Sequence, residues 1–99
     1  MAEVSIIGAG VVGLCVANEL LARNVKVSIY DKRTKAGPHA CSWWAGGMLA
    51  PFCESESAEE EVCRFGKEAA AWWSKRTNVI NNGSLVVASS RDGADFNRF

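Results

Sequence analysis

The hydrophobic pattern changes its period twice within the first 30 residues of the chain. Residues 3–7, with Val4, Ile6 and Ile7, are interpreted as an apolar strand of the kind found in the buried centre of a parallel sheet. Residues 11–23 then repeat at helical spacing, and residues 25–30 alternate valine or isoleucine with polar residues. The apolar anchors predicted for the helix are Val16, Leu20 and Leu21. This order predicts a strand, a helix and a second strand with one less buried face, the βαβ arrangement of an α/β protein.

The second half of the chain predicts one long helix. Ser57 and Glu60 match a capping box, so we expect the helix over about residues 58–76. Its apolar stripe, which we interpret as core packing, consists of Val62, Phe65, Gly66, Ala69 and Trp73. Trp72 falls outside this stripe.

Other segments lack a helical period. Residues 32–57 form a long connection that is too apolar for disorder, and we interpret it as a cover over a ligand. Residues 81–83, Asn-Asn-Gly, predict a turn, and residues 84–89 then predict a third strand. Residues 91–99 are a candidate for the start of another helix.

A glycine motif connects the first predicted strand to the first predicted helix. Gly8, Gly10 and Gly13 have the spacing G-x-G-x-x-G, with roles in the tight turn, the backbone approach of a pyrophosphate and the close packing of helix on sheet. The amino terminus of a helix also favours negative charge. Asp31 lies 31 − 13 = 18 positions after the last glycine, near the roughly 20-residue offset of an acid that binds ribose hydroxyls. Together these features predict a dinucleotide site.

The acid and a later glycine segment bear on the choice of dinucleotide. Asp31 repels a 2′-phosphate, which favours FAD or NAD over NADP, although Lys32 and Arg33 weaken this exclusion. Residues 45–51, Ala-Gly-Gly-Met-Leu-Ala-Pro, are small enough for the backbone to pass beside a flat ring, which favours FAD. The alternative interpretation of this segment is a glycine hinge within a loop.

Composition excludes some classes of partner. The chain has 99 residues, 48% of them hydrophobic, and a net charge of zero, so nothing favours nucleic acid or an anionic membrane as a partner. No apolar run approaches the roughly 18 residues of a membrane span. No basic region precedes the first apolar run, so we expect no signal peptide and a cytoplasmic location.

The cysteine pattern argues against a metal site. The four cysteines, Cys15, Cys41, Cys53 and Cys63, contain no C-x-x-C spacing, and His39 is the single histidine. We therefore predict free thiols and no bound metal, with Cys15 as a small buried residue of the first helix.

Several motifs that together cover nearly the whole chain resemble one family. They are residues 8–13, Asp31, residues 45–51, residues 53–60, the pair Trp72 and Trp73, and residues 83–88. In these motifs the chain resembles the amino-terminal part of the D-amino-acid oxidase superfamily of FAD enzymes, in particular its glycine oxidase (ThiO) group of thiamine biosynthesis. It departs from the family at Cys41, Trp43 and Trp44, where smaller residues are frequent.

This resemblance implies a fold and an activity. The fold is a Rossmann-type FAD-binding βαβ unit, here the incomplete amino-terminal part of a two-domain FAD oxidoreductase. Residues 1–80 would belong to the FAD-binding domain, and residues 81–99 would begin the substrate domain. The activity is oxidative deamination of glycine or another small amino acid, with O₂ as the second substrate and an imine and H₂O₂ as products. Assembly into a homo-oligomer is left open.

The resemblance also implies site residues, all of them on the cofactor side. Val11 and Val12 would supply backbone to the pyrophosphate, and Asp31 and Lys32 would hold the adenosine ribose. Cys41 and Ser42 would contact the phosphate or ribityl part. Gly46, Gly47 and Met48 would line the isoalloxazine ring.

No catalytic side chain is expected within residues 1–99. In the family, the arginine that binds the substrate carboxylate lies later in the chain. We therefore interpret Arg64, Arg76 and Arg91 as solvated surface cations.

Two alternatives remain at this point. One is the NAD-binding domain of a dehydrogenase, which has the same glycine motif. The other is a truncated fragment that keeps part of the fold without activity, because a doubly wound fold needs five or six parallel strands and only three candidates are found.

Overall fold

Two parallel strands and the helix between them form the first part of the molecule. The computed structural model describes residues 2–54 and 59–98. It divides the chain into two units, Met1–Gly47 and Met48–Phe99.

The first unit confirms the predicted βαβ order. Strand β1 spans Glu3–Ile7, helix α1 spans Val11–Ala22 and strand β2 spans Lys26–Tyr30. The two strands pair in parallel from Glu3 opposite Lys26 to Ile7 opposite Tyr30. Each boundary lies within one residue of its prediction, because the hydrophobic period and the glycine turn are local signals.

Helix α1 packs on the sheet through its smallest residues. A Cβ atom on Gly13 would collide with the carbonyl oxygen of Gly8, and Ala17 is only 3% exposed. The predicted anchors Val16 and Leu21 are exposed, so this part of the prediction was wrong. The close approach of helix to sheet selects the side that carries glycine and alanine, which turns the bulkier residues away.

Strand β1 is less buried than its apolar run predicted. Val4 and Ile6 are half-buried on the face toward α1, whereas Ile7 is 91% exposed. A parallel strand is buried on both faces only when layers cover both. Within the first unit, α1 covers one.

In the second unit, two short helices replace the predicted long helix over 58–76, and another short helix precedes them. Helix α2 spans Pro51–Glu54, α3 spans Glu60–Gly66 and α4 spans Ala69–Ser74. The predicted helix 58–76 is thus broken after Gly66, a residue type that destabilises helix interiors. A Cβ atom on Gly66 would lie 2.5 Å from Cβ of Pro51, so this glycine packs against α2. The predicted cap Ser57 lies outside the described residues, and Glu59 occupies the N-cap position of α3.

The predicted third strand is not formed. Residues 84–89 have no ladder partner in the described part of the chain, and Leu85 and Val87 are exposed. A strand needs a neighbour for its backbone groups, which the apolar pattern alone does not supply. The preceding turn is consistent with its prediction, since Gly83 has a φ of 74°. The last segment, where the start of another helix was predicted, is a 3₁₀ helix over Ser90–Arg98.

Two aromatic residues of the second unit, Phe65 and Trp72, lie against arginines. The guanidinium of Arg76 lies 3.7 Å from the ring centre of Trp72 and donates to the Trp72 carbonyl at 2.9 Å. Arg64 lies 4.4 Å from the ring centre of Phe65. Arg76 is therefore half-buried on an aromatic ring, which corrects its interpretation as a solvated cation. Val62 and Phe65 are exposed, so the predicted apolar stripe is only partly packed.

The remaining features concern thiols, metals and membranes. All four cysteines are free, as predicted, although Cys15 is half-buried rather than fully buried. Among the described residues, no group of metal-ligating side chains is found. None of the helices in the described ranges has the length and hydrophobicity needed to cross a membrane.

Candidate functional site

The candidate site lies where β1 and β2 end side by side. The N–H of Gly8 donates to the carbonyl of Tyr30 at 2.7 Å, which continues the pairing one residue beyond β1. The chain then turns at Gly8, whose φ of 102° suits glycine and strains other residues. Ligands of open α/β sheets bind at this carboxyl edge. The edge here carries the amino terminus of α1 and the side chain of Asp31.

The amino terminus of α1 is suited to an anion. Its N-cap residue is Gly10, which supplies no side-chain cap, and the first turn contains no acidic residue. The first N–H groups of a helix have no intrahelical acceptor, and the helix dipole adds positive potential there. Val12 and Gly13 belong to this first turn. A phosphate group placed here would meet N–H donors and no carboxylate from the first turn of the helix itself.

Ser42 contacts the same helix terminus from the connection that follows β2. The N–H of Val11 donates to Oγ of Ser42 at 3.2 Å, across 31 residues of sequence. A 3₁₀ helix over Cys41–Trp44 presents the serine. A Cβ atom on Gly10 would lie 3.7 Å from the same Oγ, so the absence of a side chain there leaves room beside the hydroxyl.

Asp31 follows β2 directly and accepts three hydrogen bonds. Its Oδ2 accepts from the N–H of Ala9 at 2.7 Å, and its Oδ1 accepts from the N–H of Arg33 at 3.0 Å. Nε2 of His39 lies 3.0 Å from the same Oδ1. Although the residue as a whole is open to solvent, the Asp31 side chain is only 15% exposed.

These contacts keep the Asp31 carboxylate ionised. The N–H of Ala9, followed by that of Arg33, lowers the pKa of Asp31 below its ordinary value. Partial desolvation raises the pKa, and the hydrogen bond and charge of His39 lower it further, with a net lowering. The site therefore combines a fixed negative charge with the positive end of α1.

The segment between β2 and the 3₁₀ helix is tied back on itself. Nε1 of Trp44 donates to the carbonyl of Pro38 at 3.1 Å, and the N–H of Ala40 donates to the carbonyl of Gly37 at 3.1 Å. Residues 33–39 line an open hollow beside this turn. The side chain of His39, the last of these residues, is 23% exposed.

Sequence reasoning missed the contribution of Ala9 and His39. Ala9 acts through its backbone, and no residue pattern marks such a donor. His39 lies eight positions after Asp31 in a segment without periodicity, so its return to the carboxylate had no local signal. The only available hint was that a lone histidine followed the predicted ribose-binding acid.

The structure brings together some of the predicted site residues. Gly8, Gly10, Val11, Gly13, Asp31 and Ser42 lie at the carboxyl edge of the sheet, as described above. Lys32 and Cys41 are exposed, and Val12 is exposed on the first turn of α1. No atom lies within 4 Å of a Cβ placed on Gly46 or Gly47, and Gly47 has a φ of 74°. Met48 is exposed and begins the second unit.

The chemistry of these groups fits a dinucleotide. A helix terminus whose own N-cap residue and first turn supply no acidic side chain fits a pyrophosphate, and the ionised carboxylate of Asp31 beside it fits ribose hydroxyls. The space at Gly10 fits the close approach of a ligand to the backbone.

Comparison with known proteins gives one family for the whole chain. The sequence pattern of the FAD dependent oxidoreductase (DAO) family matches residues 3–99. The chain is 46% identical over 94 residues to the thiamine biosynthesis oxidoreductase ThiO of Rhizobium etli, covering 93% of this chain and 28% of that protein.

Two more distant relatives also match. The mitochondrial L-2-hydroxyglutarate dehydrogenase of Dictyostelium discoideum is 30% identical over 95 residues, covering 91% of this chain and 21% of that protein. The thiamine thiazole synthase of Methanothrix thermoacetophila is 31% identical over 71 residues, covering 72% of this chain and 25% of that protein. The chain thus spans between 21% and 28% of the length of these relatives. No solved structure matches it significantly.

Proposed function

Because the chain belongs to the DAO family of FAD-dependent oxidoreductases, we propose that it forms the amino-terminal part of a FAD-binding domain. The protein that carries it is an oxidase of thiamine biosynthesis, which oxidatively deaminates glycine or another small amino acid. The identity of 46% to a ThiO oxidoreductase supports this choice of pathway. The name of the thiamine thiazole synthase relative points to the same pathway.

In this proposal the first unit holds the adenosine and pyrophosphate end of FAD. The N–H groups of Val11 and Val12 face the pyrophosphate, and Asp31 with Lys32 holds the ribose. The Ser42 hydroxyl, now bonded to the N–H of Val11, turns to donate to a phosphate oxygen, and Cys41 lies beside it in sequence. This division of work is supported by the helix amino terminus, whose first turn contains no acidic residue, and by the ionised carboxylate.

The flavin end of the cofactor is assigned to the following segment. Gly46, Gly47 and Met48 line the isoalloxazine ring. The open space around both glycines supports this role, because a flat ring can then approach the backbone.

The cofactor supplies the redox chemistry, and the chain supplies binding and orientation. A bound FAD would supply the two-electron oxidation, in which the amino acid would lose a hydride from its α-carbon and a proton from its amine to give an imine, and O₂ would take up two electrons and two protons to give H₂O₂. No side chain of residues 1–99 is assigned a proton transfer. The group that binds the substrate carboxylate is assigned to a segment outside them.

One observation carries the proposal. The carboxyl edge of the sheet combines a helix amino terminus that has no acidic residue in its first turn with a carboxylate held ionised by the N–H of Ala9. This pairing suits both charged and hydroxyl parts of a dinucleotide, and the family match selects FAD among the dinucleotides.

The test begins with the purified intact protein. We expect a flavin absorption spectrum, and release by heat should yield FAD when the supernatant is separated by chromatography. Glycine should then give stoichiometric H₂O₂ and consume O₂, measured with a peroxidase-coupled assay and an oxygen electrode. Release of NAD in place of FAD would contradict the proposal. A panel containing other small amino acids and a 2-hydroxy acid identifies the substrate class.

A further inference from the structure

The Asp31 carboxylate has few acceptor positions left for a ligand. An ionised carboxylate offers about four lone-pair positions, two on each oxygen. Oδ1 is engaged by the N–H of Arg33 and by His39, whereas Oδ2 is engaged by the N–H of Ala9. The count leaves one acceptor position, and it lies on Oδ2.

His39 is the donor in its contact with Asp31. The carboxylate is ionised and can only accept, so Nε2 of His39 carries the proton that faces Oδ1. The other two donors are backbone N–H groups, which a side-chain substitution does not remove. Among the three donors described for this carboxylate, His39 is therefore the one that a side-chain substitution can remove.

The surrounding segment fixes His39 in this position. The ring lies in the turn that the Trp44 indole ties to the carbonyl of Pro38, one residue before the histidine. The N–H of Ala40, one residue after it, donates within the same turn to Gly37. Because both neighbours are held, the backbone of His39 has a defined position from which the imidazole reaches Oδ1.

From this geometry we infer that His39 is a positioning residue that limits Asp31 to one hydroxyl of the adenosine ribose, accepted through Oδ2. The inference rests on the proposed FAD site. Removing His39 frees the second position on Oδ1, so that the carboxylate can accept both ribose hydroxyls. His39 thus determines how many ribose hydroxyls can donate to Asp31, although it does not touch the reacting atoms.

The experiment compares FAD with its 2′-deoxyadenosine and 3′-deoxyadenosine analogues on the intact apoprotein. Dissociation constants are measured by quenching of flavin fluorescence. For each protein, the loss of affinity of a deoxy analogue relative to FAD is calculated. The same loss in Asp31→Ala is then subtracted as a free energy, so that only the contribution of the Asp31 carboxylate remains. A hydrogen bond to a charged group corresponds to a loss of roughly tenfold or more in affinity.

The expected pattern differs between the variants. In the wild type, one deoxy analogue loses about tenfold and the other changes less than about twofold. In His39→Ala, both analogues lose affinity. His39→Gln retains an N–H donor at the same reach and should restore the wild-type pattern. Lys35→Ala removes a cation from the same turn and serves as the matched control, with the wild-type pattern unchanged.

Several results would overturn the inference. The first is that the wild type loses affinity for both analogues or for neither. The second is that His39→Ala still loses affinity for only one analogue. If His39→Ala does not fold, His39→Leu keeps the bulk without the donor and gives the same comparison. A wild type that binds no FAD at all overturns the proposed function and this inference with it. Binding of FAD with the wild-type pattern in His39→Ala and His39→Leu, the variants without a donor, overturns this inference alone.

Discussion

The backbone N–H of Ala9 donates to Oδ2 of Asp31 at 2.7 Å, across 22 residues of sequence. This bond joins the glycine turn after β1 to the acid after β2. It is also the largest cause of the lowered pKa of Asp31. The two sequence features that predicted a dinucleotide site are therefore one bonded unit in the folded chain.

The Asp31 carboxylate should make stability depend on pH in the acid range. Its pKa lies below the ordinary value of 3.8, so its contribution to stability is fully present above that value. The contribution is lost as the pH falls through the lowered pKa of the folded state. Denaturant unfolding of the intact protein between pH 2 and pH 7, run on about ten buffers, should show an acid limb that is shallower in Asp31→Asn. An identical pH dependence in both proteins would contradict the assignment.

Gly13 should tolerate no side chain. Gly13→Ala places a Cβ against the carbonyl oxygen of Gly8, which forces α1 away from the sheet. We expect a loss of about 1–3 kcal/mol in the free energy of unfolding, together with weaker flavin retention. Gly93→Ala is the control, because its Cβ would meet no atom within 4 Å. Equal melting temperatures for the two variants would argue against this packing.

The Ser42 hydroxyl should contribute to cofactor affinity. It lies at the amino terminus of α1, bonded to the N–H of Val11, where a pyrophosphate is proposed to bind. Ser42→Ala should weaken FAD binding by about fivefold, the value of one ordinary hydrogen bond. Ser74→Ala removes a hydroxyl that bonds to the carbonyl of Ala71 and should leave the affinity unchanged. Titration of apoprotein with FAD measures both, and equal affinities would remove Ser42 from the site.

Arg76 should stabilise the second unit through Trp72. Its guanidinium lies 3.7 Å from the ring centre, so Arg76→Ala removes a cation–π contact worth about 0.5–2 kcal/mol. Arg91 is an exposed arginine and provides the matched control. Thermal unfolding followed by tryptophan fluorescence should give a lower midpoint for Arg76→Ala than for Arg91→Ala. A midpoint for Arg76→Ala equal to or above that for Arg91→Ala would show that the contact adds no stability.

The polypeptide of residues 1–99, expressed alone, should self-associate and bind FAD weakly. Ala17, at 3% exposure, is the one buried hydrophobic residue among those described, whereas large apolar side chains are exposed. They include Ile7, Val12, Trp44, Phe65 and Leu85. Exposed apolar surface of this kind drives association. Light scattering after size-exclusion chromatography should detect aggregates. A soluble monomer with tightly bound flavin would contradict this prediction.

The sequence by itself determined the local elements at the amino terminus. The hydrophobic period, the three glycines and Asp31 predicted β1, α1, β2 and the acid at the end of β2. These features are encoded within short segments, because strand and helix periods and the φ freedom of glycine are local properties. The family resemblance rested on the glycine motif and Asp31 together with the later motifs at residues 45–51, 53–60, 72–73 and 83–88, and it agrees with the match over residues 3–99.

Only the tertiary structure decided which residues meet. The packing of α1 through Gly13 and Ala17, the break after Gly66 and the missing ladder at residues 84–89 depend on neighbours that are distant in sequence. The bond between His39 and Asp31 depends on how an aperiodic connection returns to the sheet edge. Local patterns describe what each segment prefers, whereas burial and hydrogen bonding are set by the partners that the fold brings within reach.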